Sequence, residues 1–338
     1  MSTYSLTDAD IDALKTVLES DSDSIDEFQR ERRKSRDFLA RFVRTAKGDA
    51  ERGARRLRSF EGFEREHVSS DTPFLSILQV RHAIAEGVGT LVGVDGSGKV
   101  RPLVAASGAA AIFCAFSSLD YDVVPPKQMI LAFFYMFERL MRMEGASVGM
   151  FFLAEAEGLG WKQFNLEVER IFSQFLSDTM PVRLDSLVMV HEPFIIKMMM
   201  AMMRPFMSQK VKDRMRFLGD DVGQLAELMG DDNLLERYGG SLRAATGPET
   251  TWHLLQDEME RMTLTVSAEA AGVAFARDPT LADALVCTEP AGPFLLDDVV
   301  LAVDDEPITA ETTIDISSVS TVTVGRVMVD VLGRRREE

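Results

Sequence analysis

Cysteine is nearly absent from this chain: Cys114 and Cys287 are the only two in 338 residues, far apart and each inside an apolar run. That excludes a disulfide framework and a cysteine-built metal centre, and it fits a reduced cytosol. Histidine is scarce too, with four residues scattered at 67, 82, 191 and 253 and no pair at metal-ligand spacing. The acidic stretch DSDSIDEF lacks the glycine of a calcium loop, so no metal is expected. Long apolar runs are also missing. Leu103 to Leu119 is uncharged over 17 residues, but Ser107, Gly108, Ser117 and Ser118 interrupt it, and it reads as buried strand and loop rather than a membrane helix. The N-terminus is acidic, without the basic start and apolar middle of a signal peptide, so secretion is not expected. Positive charge is in deficit, 37 Lys and Arg against 54 Asp and Glu, a net charge of −17, which excludes a broad nucleic-acid footprint.

The charge is unevenly spread. Residues 1–28 carry eight acids and one base, an acidic arm. Gln29 to Glu66 carries thirteen Lys or Arg against seven Asp or Glu. Such a basic face suits an anionic membrane surface, at about 1 kcal/mol per nearby cation, and equally an ordinary solvated helix exterior.

Phe38, Leu39, Phe42 and Val43 recur at helical spacing, and Asp49 after Gly48 is placed to cap a second helix to about Glu66. From Gly87 the period changes: GVGTLVGV, an Asp95-Gly-Ser-Gly turn and VRPLVAA read as a hairpin of two strands. Helix over Lys127 to Met143, strand over Ser147 to Ala154, helix over Trp161 to Ser177 and strand over Asp185 to Val190 then alternate, which predicts right-handed crossovers and a mainly parallel sheet. Phe194 to Met203, FIIKMMMAMM, carries Lys197 as its one charge and stops before Pro205. A helix apolar on all sides is normally buried whole. At a surface it must cover something apolar, and unbranched Met side chains repack against ligands of differing shape. Seven of the 19 Met fall between Met198 and Met215. ATGPETTWHLLQDEMERM reads as a linker helix, and short β-rich runs follow it.

The catalytic motifs fail on context. Gly93-Val-Asp-Gly-Ser-Gly98-Lys99 has P-loop spacing, but Val100 replaces the magnesium-binding hydroxyl and the chain continues as strand rather than helix. Gly145-Ala-Ser147-Val-Gly149 fits the hydrolase elbow pattern with its helix before the serine instead of after it. His191 sits at a strand end, where α/β sites lie, but no nucleophile accompanies it. No enzyme activity and no catalytic residue are expected.

Taken in order, FLARFVRTAKGDAERGARRLRSFEGFERE, the turn Asp95-Gly-Ser-Gly-Lys-Val-Arg-Pro, MEGASVGMFFLAEAEGLGWKQF, the run from Leu184 to Gly219 and ERYGGSL resemble the CRAL-TRIO lipid-binding family over about Phe38 to Leu242. The resemblance implies a pocket above the sheet floor, closed by the helix Phe194 to Met203. Pocket and gate residues would be Phe152, Phe194, Ile195, Met198, Met199, Met202, Met203 and Phe206. It implies headgroup contacts at Lys47 and Arg204. Ala46 stands where many members carry a second Arg, His191-Glu192 replaces an Asn, and Ala154-Glu155 replaces the strand's Asp. The C-terminal run resembles a PDZ domain: Ala271, Gly272 and Val273 align with the carboxylate-binding loop, and LLDDVVLAVDDEPI with the following strand and turn. Asp305-Glu306 and Leu296 depart from that pattern.

The expected fold is therefore α/β, a CRAL-TRIO fold with a helical N-terminal segment and a mixed, mainly parallel sheet, plus a small β-rich PDZ-like domain. The expected division is an acidic arm (1–28), helical segment (29–70), lipid-binding domain (71–243), linker helix (244–262) and PDZ-like domain (263–335). The expected function is non-enzymatic binding, transfer or sensing of one lipid, a phospholipid or another hydrophobic ligand. No cofactor beyond that lipid is expected. The partners would be a membrane surface met peripherally and a peptide C-terminus, and the location cytoplasmic with transient membrane association. The alternative is a protein-interaction scaffold with an inert lipid-binding unit.

Overall fold

The apolar runs Ala110 to Ala115, Met150 to Ala154 and Leu187 to Val190 have no room for polar alternation, and each lies in a strand of a parallel sheet buried on both faces. We describe a computed structural model covering residues 4–21, 25–68, 75–265, 273–281, 284–290, 298–304, 306–309, 314, 319 and 321–327. The chain begins with helices α1 (Asp8–Leu18), α2 (Glu27–Lys34), α3 (Arg36–Ala46), α4 (Ala50–His67) and α5 (Ile77–Ala85). Strands β1 (Val92–Val94), β2 (Val100–Pro102) and β3 (Ala110–Ala115) follow, then α6 (Pro126–Leu140), β4 (Met150–Glu155), α7 (Leu166–Gln174), β5 (Leu184–Val190), α8 (Ile195–Met203), α9 (Gln209–Lys212), β6 (Met215–Phe217) and α10 (Val222–Met229). The remainder is β7 (Arg243–Ala244), α11 (Gly247–Glu258), β8 (Met259–Thr265), β9 (Ala274–Asp278), β10 (Ala284–Glu289), β11 (Val299–Val303), β12 (Glu306–Pro307) and β13 (Thr321–Val327).

The central sheet runs β3-β4-β5-β6, every pair parallel, with Ile112 beside Phe152 and Phe152 beside Leu187. Sequential strand order with crossovers of one hand places the connecting helices on one face. Accordingly Ile112, Phe152, Leu187 and Met189 share one apolar cluster with residues of α6, α7 and α8. The opposite face, with Phe113, Phe151, Leu153 and Val188, is covered by Leu225 and Met229 of α10 and by Leu234, Leu235 and Tyr238. The alternating αβ pattern over residues 103–203 is thus as expected. The helix expected over Trp161 to Ser177 is divided: Asn165 accepts hydrogen bonds from the amides of Glu167 and Val168 and starts α7, and the last turn widens over Phe175–Thr179.

The hairpin β1-β2 forms through the turn in which the Asp95 carboxylate accepts from the Ser97 and Lys99 amides. It does not open the main sheet: β7 joins it, giving a three-stranded sheet β2-β1-β7. Lys99 leads into β2 rather than a helix, so the P-loop reading fails on geometry. Ser147 lies in a short turn before β4, its hydroxyl on the Glu144 carbonyl, so it is no nucleophile elbow.

Asp49 caps α4 at the Arg52 amide, 2.9 Å, as its position implied. The acidic segment packs rather than trails: Ile11, Leu14 and Leu18 of α1 are buried in the main apolar cluster with Phe42 and Leu57. The segment read as a linker helix also packs into that cluster through Leu254 and Leu255 of α11. Its Thr250 donates to Thr90, and Glu258 accepts from the Ile77 amide and the Tyr135 hydroxyl. After Glu258 the chain enters β8 directly, in an antiparallel sheet ordered β8-β13-β11-β10-β9, with β12 on β11. Leu285, Cys287, Val300, Val322 and Val324 form its own small core. Ala271, Gly272, Leu296 and Asp305 fall outside the described residues. Among the described residues no helix is long and apolar enough to cross a membrane.

Candidate functional site: the helical face of the central sheet

Between the sheet and its helices lies a dense aromatic layer. Phe152 is fully buried on β4, its ring 5.8 Å from Phe172 of α7 and 6.2 Å from Phe116. Phe172 meets Phe133 and Phe137 of α6 at 5.2 and 5.6 Å, and Phe175 meets Phe63 of α4 at 4.9 Å. A narrow apolar crevice opens into this layer between α4, α6 and α7, walled by Phe63, Ile130, Phe133, Phe134, Phe137, Val168, Ile171, Phe172 and Phe175, without a charged side chain in the wall.

α8 lies across the same face of the sheet. Ile196, Met199 and Met203, at spacings of three and four, are buried against the core. Phe194 (74% exposed), Met198 and Met202 point outward, and Phe206 just beyond the helix joins them. The helix is therefore amphipathic in exposure though not in composition. Burying it whole, the usual fate of such a sequence, does not occur, because only one side of it packs against the core and α7. Ile195 is half-buried. The expected pocket residues thus divide into buried Phe152, Met199 and Met203 and an outward set, Phe194, Met198, Met202 and Phe206. The cleft wall itself was missed. Its signal was present as FFYMF in α6 and as Phe172 and Phe175, but helical periodicity alone assigns such residues to core.

Lys47 and Arg204 are both exposed, Lys47 in the left-handed C-cap of α3 and Arg204 at the C-terminus of α8. Part of the basic face read from Gln29 to Glu66 is turned inward or paired. Arg32 is buried against Glu64 and Glu138, Arg33 lies between Asp21 and Glu61, Arg58 pairs with Asp21 and Arg36 with Asp8. Arg56 donates to the Met180 carbonyl at 2.7 Å. The acidic arm and the basic helices neutralise each other, so a wholly outward cationic face is not what the sequence builds.

A polar hub sits where β4 and β5 end. Glu155, 1% exposed, accepts from the Tyr238 hydroxyl at 2.7 Å, the Glu157 amide at 2.9 Å and His191 Nδ1 at 3.0 Å, with Arg237 at 3.3 Å. Burial opposes its charge, but those hydrogen bonds and the Arg237 guanidinium outweigh it and hold the carboxyl below its ordinary range. His191 adopts the left-handed conformation, φ 51°, unusual for a residue with a side chain. Glu192 accepts from the Gly219 amide. The chain entering α8 is thus pinned at two successive residues. Glu155, Glu157 and His191 offer atoms within 4.8 Å of one another, but Arg237 already lies 3.3 and 3.8 Å from the two carboxylates, so the cation there is the protein's own.

Of the expected peptide loop only Val273 is described, half-buried, leading into β9; β9 pairs with β10 and lies at the end of the strand order.

The CRAL/TRIO domain family matches residues 106–240. Proteins named alpha-tocopherol transfer protein-like, from Pongo abelii and Homo sapiens, are 27% identical to the chain over 133 residues, 38% of this chain and 38% of theirs. The mouse protein of that name is 27% identical over 121 residues, 35% of each. The match therefore spans well under half the length of these relatives. The crystal structure of Sfh5 has a TM-score of 0.45 to this fold at 12% identity, over 74% of this chain and 96% of that one.

Proposed function

We propose that this chain, whose residues 106–240 match the CRAL/TRIO domain family, binds a single lipid between the helical face of the central sheet and α8, and exchanges it at a membrane without catalysing a reaction. The observation that carries the reading is the pairing of an apolar cleft with a Met-rich helix on the same side of the sheet, its inner residues buried and its outer ones exposed. Burial of an acyl chain contributes about 0.8 kcal/mol per CH₂, so one hydrophobic ligand is held tightly with few polar contacts. The outward Phe194, Met198, Met202 and Phe206 are the surface that enters the lipid interface, and Lys47 and Arg204 are the proposed contacts to anionic headgroups. The name of the tocopherol transfer relatives supports a neutral hydrophobic ligand as readily as a phospholipid.

Transfer of a fluorescent lipid between donor and acceptor vesicles tests this. Met199→Asp places a charge on the buried side of α8 and is expected to abolish loading, whereas Met198→Asp, on the exposed side, is expected to leave loading intact and slow transfer several-fold, a charge at a membrane-facing position costing about 2.5–3.5 kcal/mol at full depth. Normal loading by Met199→Asp removes α8 from the site.

A second reading, peptide binding by the C-terminal sheet, draws on β9, a terminal strand directly after Val273 that is placed for strand addition. Capture of C-terminal peptides by the full chain, abolished by blocking their carboxylate, is the outcome it requires.

A further inference from the structure

The chain passes from β5 into α8 through a histidine. His191 holds the left-handed conformation, Pro193 has a fixed φ, and Glu192, before a proline, is confined to extended conformations. Backbone freedom between the sheet and α8 therefore resides mainly at His191. Three contacts tie that point to the loop that follows β6. The His191 amide donates to the Gly219 carbonyl at 2.9 Å, the Gly219 amide donates to the Glu192 carboxylate at 3.0 Å, and His191 Nε2 lies 3.9 Å from the Asp220 carboxylate. Only the third depends on the charge of the imidazole.

The groups that face this ring come from every element packed against it. Glu155 of β4 meets Nδ1 at 3.0 Å, and Glu157, just after β4, brings its carboxylate within 4.8 Å of the same ring and of Glu155. Tyr238, its ring centre 6.0 Å from that of His191, donates to Glu155, and Arg237 lies 3.3 Å from Glu155 and 3.8 Å from Glu157. One guanidinium thus stands among Glu155, Glu157 and Asp220, with Glu192 turned to Gly219. The ionised Glu155 carboxylate only accepts, so a neutral imidazole places its one ring proton on Nδ1. Nε2 is then a bare lone pair facing a second carboxylate, and no hydrogen bond forms there. A second proton turns that contact into an attraction between opposite charges, with an acid at each nitrogen of the ring.

We propose that His191 is a pH-sensitive clip at the hinge of α8: when protonated it grips Glu155 through Nδ1 and Asp220 through Nε2, holds the N-terminal end of α8 in place and slows lipid exchange. Loss of that proton frees the Asp220 side, and the helix lifts more often. Asp220 is exposed, so the gain is that of one partly exposed ion pair and changes the exchange rate by about three-fold rather than by orders of magnitude. The inference rests on the reading of α8 as the helix over the lipid and adds a control to it.

The test uses the purified full-length chain at pH 5.5 and pH 8.0 with two readouts. One is release of a fluorescent lipid into phosphatidylcholine vesicles, whose zwitterionic surface keeps its charge over this range. The other is hydrogen exchange of the α8 amides, corrected for the intrinsic pH dependence of exchange. Wild type is expected to release lipid about three-fold more slowly at pH 5.5 and to show α8 more protected there. Asp220→Asn is expected to keep the pH 8.0 rate and to lose the difference between the two pH values. His191→Asn, whose side chain tolerates the left-handed backbone, is expected to lose that difference as well, and thermal melting confirms that both variants are folded. Equal release and equal protection at the two pH values in wild type, or a difference that persists in either variant, overturns the clip while leaving lipid binding in place. Protection of α8 that rises with acid and is lost in Asp220→Asn, in a chain that takes up no lipid at either pH, leaves the clip standing and overturns the lipid reading.

Discussion

Glu155 remains ionised at 1% exposure because the Glu157 amide, Tyr238, His191 and Arg237 all converge on it. Removing one member of such a buried charged group leaves the others unpaired, and Glu155→Ala is expected to cost about 3 kcal/mol, read as a lowered urea midpoint. An unchanged midpoint would mean that the hub contributes nothing to folding. Glu169 gives the opposite pH behaviour from a paired acid. Its folded pKa of about 7 lies above the ordinary 4.5, so the folded state keeps a proton that the unfolded state releases. Stability from this group is therefore complete below about pH 4.5 and lost as pH rises through 7. Melting temperatures at pH 5 and pH 8 should fall more steeply for wild type than for Glu169→Gln, and parallel slopes would contradict the burial of this carboxyl. The hub around Glu155 was not legible as a site. His191 at a strand end and Glu155 in place of an expected Asp were visible singly, but their meeting depends on the register of β4 against β5, which no local pattern encodes.

The strands and crossover helices of the central layer followed from apolar runs and helical periodicity, because continuous burial leaves little ambiguity between Met150 and Val190. α8 was legible as an apolar helix but not as half-exposed, since its composition is the same on every side and only the layer order shows which side faces out. α11 was harder to place. Gly247, Pro248, Glu249, Thr250 and Thr251 give it a polar start that reads as a connection, yet Thr250 and Thr251 are buried and hydrogen-bonded to Thr90 and the Gly247 carbonyl. Because Leu255 sits at 0% exposure between this helix and the main core, Leu255→Ala is expected to destabilise the protein by about 2–5 kcal/mol. Chemical denaturation followed at Trp252, on the same helix, reads that loss, and a change under about 0.5 kcal/mol, the range of ordinary surface substitutions, would place α11 outside the cooperative core.

At the largest scale, a chain of net charge −17 folds its most basic segment against its own acids. What remains outward near α8 is apolar surface with Lys197 over the Phe194 ring and Arg204 exposed at the helix end. Charge counted along the sequence suggested a broad cationic face; pairing in space leaves a smaller one. The C-terminal sheet is tied to this body by Arg81 to Asp278 at 3.1 Å and by Leu281 in the main core, contacts between segments some two hundred positions apart that no composition shift foretells. Native mass spectrometry of the full chain purified from a eukaryotic lysate, followed by lipid extraction, decides whether that body is a carrier. One lipid molecule per chain, absent from Met199→Asp, is the expected result; a wild-type chain that carries none, and takes up none from vesicles, would contradict it.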